Sequence, residues 1–220
     1  MSPYFPFPNK KLASKELERD LLFDKIPVSD RQLVVDDAWE VGVTAARNIF
    51  RDYGKTIDIY DIAEEHNLKI VRKDIEKIIG RLRYYSEYLT KDKTIILYMG
   101  SINKWATYNH LQPDDAEELI LSHEFFHHLE HTSIGEISQN YKVPTLKIGK
   151  RVLISSGIKA LSEIGSHGFA YTYWTELHND KFARLDRGNF TNISMNVVDQ
   201  SKLIGNNPFD LLRKKKSTKL

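Results

Sequence analysis

The chain has 220 residues, 41% of them hydrophobic, a formal net charge of +2, a sequence pI of about 8.5 and no cysteine. That length and apolar content suffice for one buried core, and the charge balance is far from the concentrated positive field of a dedicated nucleic-acid binder. The lack of cysteine excludes disulfides, thiolate metal ligands and cysteine nucleophiles, so any zinc must be held by His and carboxylate, a donor set that suits an active site better than a structural one.

The opening Met1-Ser2-Pro3-Tyr4-Phe5-Pro6-Phe7-Pro8 lacks the basic region and long apolar core of a signal peptide. No apolar run is long enough to span a bilayer, so a cytoplasmic protein is expected. Residues 1–32, with three early prolines and a charged stretch after them, read as a flexible lead-in from which Phe5 and Phe7 could dock on the body. Over residues 36–52 the apolar positions Ala38, Val41, Ala45, Ile49 and Phe50 recur at helical spacing, and Gly54 ends that helix. Asp58 can cap a short helix through Glu64, and Leu68-Lys69-Ile70-Val71 reads as a strand.

Residues 81–86 and 94–99 read as paired strands joined across Thr90-Lys91-Asp92-Lys93. The second of them either offers its edge to an extended substrate or is simply a core strand. Gln112-Pro113-Asp114-Asp115-Ala116-Glu117 then forms a helix start, with Asp114 as cap and Glu117 three residues on, and the helix is expected to run to about His131. Residues 132–157 form an irregular excursion with a short hairpin around 146–154, followed by a last long helix over residues 158–177. The Lys-rich segment 201–220 reads as a basic, solvated tail.

The chemistry concentrates in His123-Glu124-Phe125-Phe126-His127, an HExxH motif. Residues i and i+4 lie one above the other on a helix, so both imidazoles can point at one metal ion, while Glu124 projects beside it. There Glu124 can act as general base toward a metal-activated water. The motif sits in an apolar run with Leu119, Ile120, Leu121 and Leu129. Histidines buried in such a helix need partners, and a metal ion satisfies two at once.

A catalytic zinc takes three protein ligands plus water. The metzincin spacing would need glycine and histidine where this chain has Glu130 and Ser133, so that class is excluded. His128 and His131 point poorly at the same ion and read as surface or supporting residues. The third ligand is expected from the last helix, where Glu163 and His167 lie one turn apart on one face; either is open as the ligand, the other polarising a substrate carbonyl or orienting a ligand. Tyr171 and Tyr173 are further oxyanion candidates on that helix, against the plainer reading of core tyrosines.

A helix near residues 38–50, the segment Ile57-Asp58-Ile59-Tyr60-Asp61-Ile62-Ala63-Glu64-Glu65, a hairpin, the HExxH helix and then Glu163 with Phe169-Ala170 together resemble the ImmA/IrrE metallopeptidases over residues 36–178. His167, Phe169 and Ala170 match the end of that family's downstream motif. The position four before Phe169, commonly acidic in the family, is Gly165 here, with Glu163 two residues earlier. The resemblance implies a compact α+β, zincin-like domain over residues 33–200, a small sheet packed with the HExxH helix and a following ligand-bearing helix. It also implies one Zn2+ held by His123, His127 and Glu163, with Glu124 catalytic. The implied activity is limited intracellular proteolysis of a protein, such as a helix-turn-helix repressor, with no direct nucleic-acid or membrane partner. The alternative is a catalytically weak zinc-site protein that acts by binding a regulator.

Overall fold

The computed structural model of the chain describes residues 7–54, 57–80 and 82–178; the basic tail, Phe5 and the end of the expected 33–200 domain lie outside them. From residue 7 on, the expected lead-in is a folded part of the body. Asn9 caps α1 (Lys10–Glu18) by accepting the Lys11 N–H, and the helix buries Ala13 and Leu17. After Pro27 comes α2 (Val28–Tyr53), longer than its apolar spacing suggested, with Val35, Ala38, Trp39, Val43, Ala46 and Ile49 buried along one face. Gly54, at φ 83°, ends it in the left-handed region that glycine enters without strain.

Asp58 caps α3 (Ile59–Glu65), accepting from the Tyr60 and Asp61 N–H groups. Five short strands follow: β1 (Lys69–Lys73), β2 (Lys77–Ile79), β3 (Leu82–Tyr84), β4 (Ser86–Leu89) and β5 (Thr94–Tyr98). The expected hairpin is shifted. The tight turn at Thr90–Asp92, closed by Lys93 at φ 45°, sends β5 back against β4, with Ser86 opposite Leu97, while β3 turns aside to pair with β2. β5 is fully buried and central, parallel to β1 on one side and antiparallel to β4 on the other. Its edge is therefore closed to a substrate, and the core reading of that strand holds.

α4 (Met99–Tyr108) buries Ile102, Trp105 and Ala106 at helical spacing, a helical signal that the sequence carries as well. α5 (Pro113–Leu129) carries the HExxH motif. Its cap is Gln112 rather than Asp114, because Pro113, with φ preset and no N–H to satisfy, starts the helix a residue early. Asp114 and Asp115 still lie in the first turn, where their charge favours the helix dipole. α5 ends in a π-helical turn (Glu130–Ile134), and the chain then runs through β6 (Lys142–Ile148) and β7 (Arg151–Gly157), an isolated hairpin, into α6 (Ala160–Leu177).

The architecture is mixed α+β, mostly helical, with small sheets. Its core lies between α2, α5 and α6, where Phe125, Phe126, Phe169, Tyr173 and Trp174 are fully buried. α6 approaches α2 backbone to backbone: a Cβ on Gly42 would stand 1.9 Å from the Gly165 carbonyl oxygen, and one on Gly168 would stand 2.6 Å from that of Trp39. Asp20 ties α6 to the N-terminal segment by accepting the Ala160 N–H at 2.9 Å. Among the described residues no helix is long and apolar enough to cross a membrane.

Candidate metal centre

α5 is buried on every side from Leu119 to Phe126, so the polar residues of that stretch are placed inside the protein and must find partners there. His123 and His127, one turn apart, bring their Nε2 atoms to 3.3 Å of each other. α6 crosses beside them and presents Glu163, whose two carboxylate oxygens lie 3.5 Å from His123 Nε2 and 3.7 Å from His127 Nε2. Two nitrogens and a carboxylate thus form a triangle with edges of 3.3–3.7 Å, the two histidines meeting different oxygens of Glu163. Donors at the roughly 2.0–2.1 Å bond length of tetrahedral zinc stand about 3.3–3.4 Å apart, so the spacing of the three groups is of the size such a site needs.

The surroundings favour the same set. His127 Nδ1 lies 2.9 Å from Glu130 Oε2, so its N–H donates to that carboxylate and Nε2, the nitrogen a metal ion would take in place of its proton, is turned toward the triangle. Ser162 also donates to Glu130, and the Ile137 N–H reaches Glu130 Oε1 at 3.2 Å. Burial would lower the His127 pKa, but the Glu130 hydrogen bond and the charges of Glu163 and Glu124 outweigh it and raise the value to about 9. Burial would raise that of Glu163, yet the hydrogen bond to His123 and the neighbouring imidazoles hold it far below the usual carboxylate range. The centre is a strongly negative pocket that draws in positive charge.

His167 stands behind this triangle. Its ring centroid is 5.3 Å from that of His123, and a donor atom of His167 lies within 4.8 Å of donors on His123 and Glu163, so these three form a second, overlapping set. In the set with His127 the third residue's other nitrogen is anchored by a carboxylate, whereas neither nitrogen of His167 has such an anchor among the described residues. Both nitrogens of His167 and Nδ1 of His123 are buried with no hydrogen-bond partner among the described residues; an ion on the two Nε2 atoms and Glu163 leaves them so, and only an ion in the set with His167 engages one of them. Burial presses the His167 pKa down to about 3. Phe7 packs edge-on against both rings, at 5.8 Å from His123 and 5.4 Å from His167.

A cavity of about 410 Å³ opens on the other side, lined by Glu124, His127 and Glu163 together with Tyr84, Glu87, Tyr88, His131, Ser138 and Lys159. Glu124 is 1% exposed, and its Oε1 accepts from Ser86 Oγ at 2.6 Å, so β4 fixes the carboxylate beside the histidines. His167, Tyr171 and Tyr173 do not line this cavity. Tyr171 packs on Trp39, and Tyr173 stacks on Phe50 and Phe169, which is the core role weighed for them. His128 is buried with Tyr88 Oη at 2.9 Å from its Nδ1, and His131 is exposed at the cavity rim.

Sequence reasoning missed Ser86 and Ser162, which act through contacts with residues distant in the chain, whereas Phe7 docks on the body as expected, its seat against His123 and His167 being the unforeseen part. Sequence reasoning also missed Glu130, whose i+3 spacing from His127 on one helix was legible. Gly165 is explained by packing: a Cβ there would stand 2.4 Å from Ile137 Cδ1 and 2.9 Å from Phe126 Cζ, so no acidic side chain fits, and Glu163 one half-turn earlier faces the histidines instead. Compared with protein-family models, with curated proteins and with solved structures, the chain finds no match.

Proposed function

We propose that this protein is a zinc-dependent peptidase of the ImmA/IrrE type that performs limited proteolysis of a protein substrate. The reading rests on one observation: His123, His127 and Glu163 converge within 3.3–3.7 Å beside a cavity that Glu124 also lines. Zinc held by these three residues would supply Lewis acidity, lowering the pKa of a water and polarising a peptide carbonyl.

The chain's own residues do the rest. Glu124, oriented by Ser86, takes the proton from the attacking water and later hands it to the leaving amine. Glu130 keeps His127 in the tautomer whose Nε2 faces the site. Of the two edge strands of the three-stranded sheet, β1 and β4, it is β4 whose Glu87 and Tyr88 line the cavity where an extended chain would lie.

Two measurements test this. Elemental analysis of untagged protein is expected to give near one zinc per chain, lost in Glu163→Ala and kept in His167→Ala. Zinc-loaded wild type is expected to cleave a proteome-derived peptide library, read by mass spectrometry, where Glu124→Gln does not. Zinc bound without cleavage would leave the alternative of a regulator-binding zinc protein, and loss of zinc in His167→Ala alone would replace His127 or Glu163 in the ligand set.

A further inference from the structure

The β6–β7 hairpin has no part in the chemistry above, yet it is the most unusual surface of the molecule. Gly149 and Lys150 form its turn, with Gly149 at φ 58°, and Ile148 pairs with Arg151. Leu146, Ile148, Val152, Leu153 and Ile154 are each between 46% and 68% exposed, although they crowd one short tip. Isolated two-stranded hairpins are marginal in water, and a solvated one normally hides one face. This arm hides neither near its tip, where a bulge at Leu146 and Lys147 breaks the alternation. Only its base is anchored, through buried Val143 and through Gly157, where a Cβ would stand 2.2 Å from the Ser138 carbonyl oxygen.

Its charge is one-sided. Between Ile137 and Ser162 the sequence has Lys142, Lys147, Lys150, Arg151 and Lys159 and no Asp or Glu. The backbone is open as well: among the described residues β6 and β7 pair only with each other. Pro144 removes one donor from β6, whereas β7 contains no proline, so every N–H that it does not spend on β6 is available at its outer edge.

We propose that this hairpin is a docking arm for an extended, acidic and apolar segment of the protein substrate, which adds to the β7 edge. The charge selects that occupant. The chain's own segment 179–220 has an excess of Lys and Arg, and a second copy would bring an identical basic hairpin, so both meet like charge. An acidic segment from another chain meets opposite charge, buries the five apolar side chains and satisfies the open edge. The base of the arm borders the cavity, since Ser138, Lys159 and Ser162 lie beside it and line that cavity. A chain held on the arm is therefore led to Glu124. The identity of the partner as substrate rests on the peptidase reading, whereas the docking does not.

The test uses the full-length zinc-loaded protein and a fluorescein-labelled synthetic peptide alternating Glu with Val and Leu, with a control in which every Glu is Lys, read by fluorescence anisotropy. The Glu peptide is expected to bind, more weakly as salt rises, and the Lys peptide not to bind. Binding is expected to fall at least about tenfold in Lys147→Glu/Lys150→Glu/Arg151→Glu and in Ile148→Ser/Leu153→Ser. These side chains are exposed, so the variants should melt as wild type does. Glu124→Gln is expected to bind unchanged, which separates docking from turnover: docking without cleavage sinks the peptidase reading alone. Equal binding of both peptides, or of the charge-reversed variant, overturns the proposal. So does binding of phosphatidylglycerol vesicles or duplex DNA by the hairpin when the Glu peptide fails to bind.

Discussion

The residue that most sharply tests the metal centre is Glu130, which touches no substrate. In Glu130→Gln the side chain keeps its shape but has one acceptor oxygen where three donors converge: His127 Nδ1, Ser162 Oγ and the Ile137 N–H. Whichever way the amide is turned, its NH₂ faces a donor. The lost charge-assisted hydrogen bond to His127 is worth about 1.5–3 kcal/mol. Removing such a support behind a metal-binding histidine typically lowers metal affinity roughly 10–100-fold, and at about 1.4 kcal/mol per tenfold the two figures agree. The assay is competition for zinc against a chromophoric chelator, paired with thermal melting of the metal-free protein. The expected result is zinc affinity down by about 10–100-fold, with Ser162→Ala losing less than about tenfold because it removes only a neutral donor. If the metal-free variant melts lower while its zinc affinity equals that of wild type, Glu130 is only a tie for the π-helical turn and the argument fails.

Further outcomes follow from the same contacts. Glu124→Gln should keep zinc and lose cleavage by roughly 10²–10⁴-fold, while Ser86→Ala should lower kcat by only about tenfold, because it loosens the base without removing it. Stripping zinc with a chelator should lower the Tm, since zinc at a thousand times its dissociation constant stabilises the fold by about 4 kcal/mol; an unchanged Tm in calorimetry would argue against a site formed by folding. Gly42→Ala drives a methyl into the α6 backbone and should destabilise by about 3 kcal/mol in urea titration, whereas a neutral result would mean α2 and α6 can part without loss. Phe7→Ala should cost about 3–5 kcal/mol in the same measurement, because its ring is buried against His123, His167 and Trp105.

What the sequence could show divides by the range of the interaction. His123, Glu124 and His127 are readable because one helix fixes their relative directions, and Asp58 is readable as a cap for the same local reason. The partner of β5 is not, since strand pairing is decided by a turn whose left-handed Lys93 carries no glycine signal. Nor is the Ser86 contact to Glu124, which spans 38 residues and exists only once β4 lies against α5. The start of α5 was misjudged because Asp114 and Pro113 both make good helix openings and the proline acts a residue earlier. The prolines around Phe7 suggested a flexible lead-in, and although docking of its ring was legible as an option, composition cannot name the seat against His123 and His167 that receives it.

The position of Glu163 shows how the core and the site depend on each other. Glu163 reaches both histidines only because α6 lies close to α5, and that approach requires Gly165 to carry no side chain against Phe126 and Ile137. On its other side the same glycine meets Gly42, so α2 sets the depth of α6. Phe125 and Phe126, between the two motif histidines, hold α5 in the core by apolar burial worth about 2–3 kcal/mol each. That burial in turn fixes His123 and His127 within a few ångströms of Glu163, where water solvates them poorly. The carboxylates Glu124, Glu130 and Glu163 are thereby placed together in a medium that penalises uncompensated charge, and His127 holding its proton up to about pH 9 is the response of the metal-free protein. A divalent cation answers the same field more fully, and the packing that makes the pocket costly when empty makes it selective for such an ion.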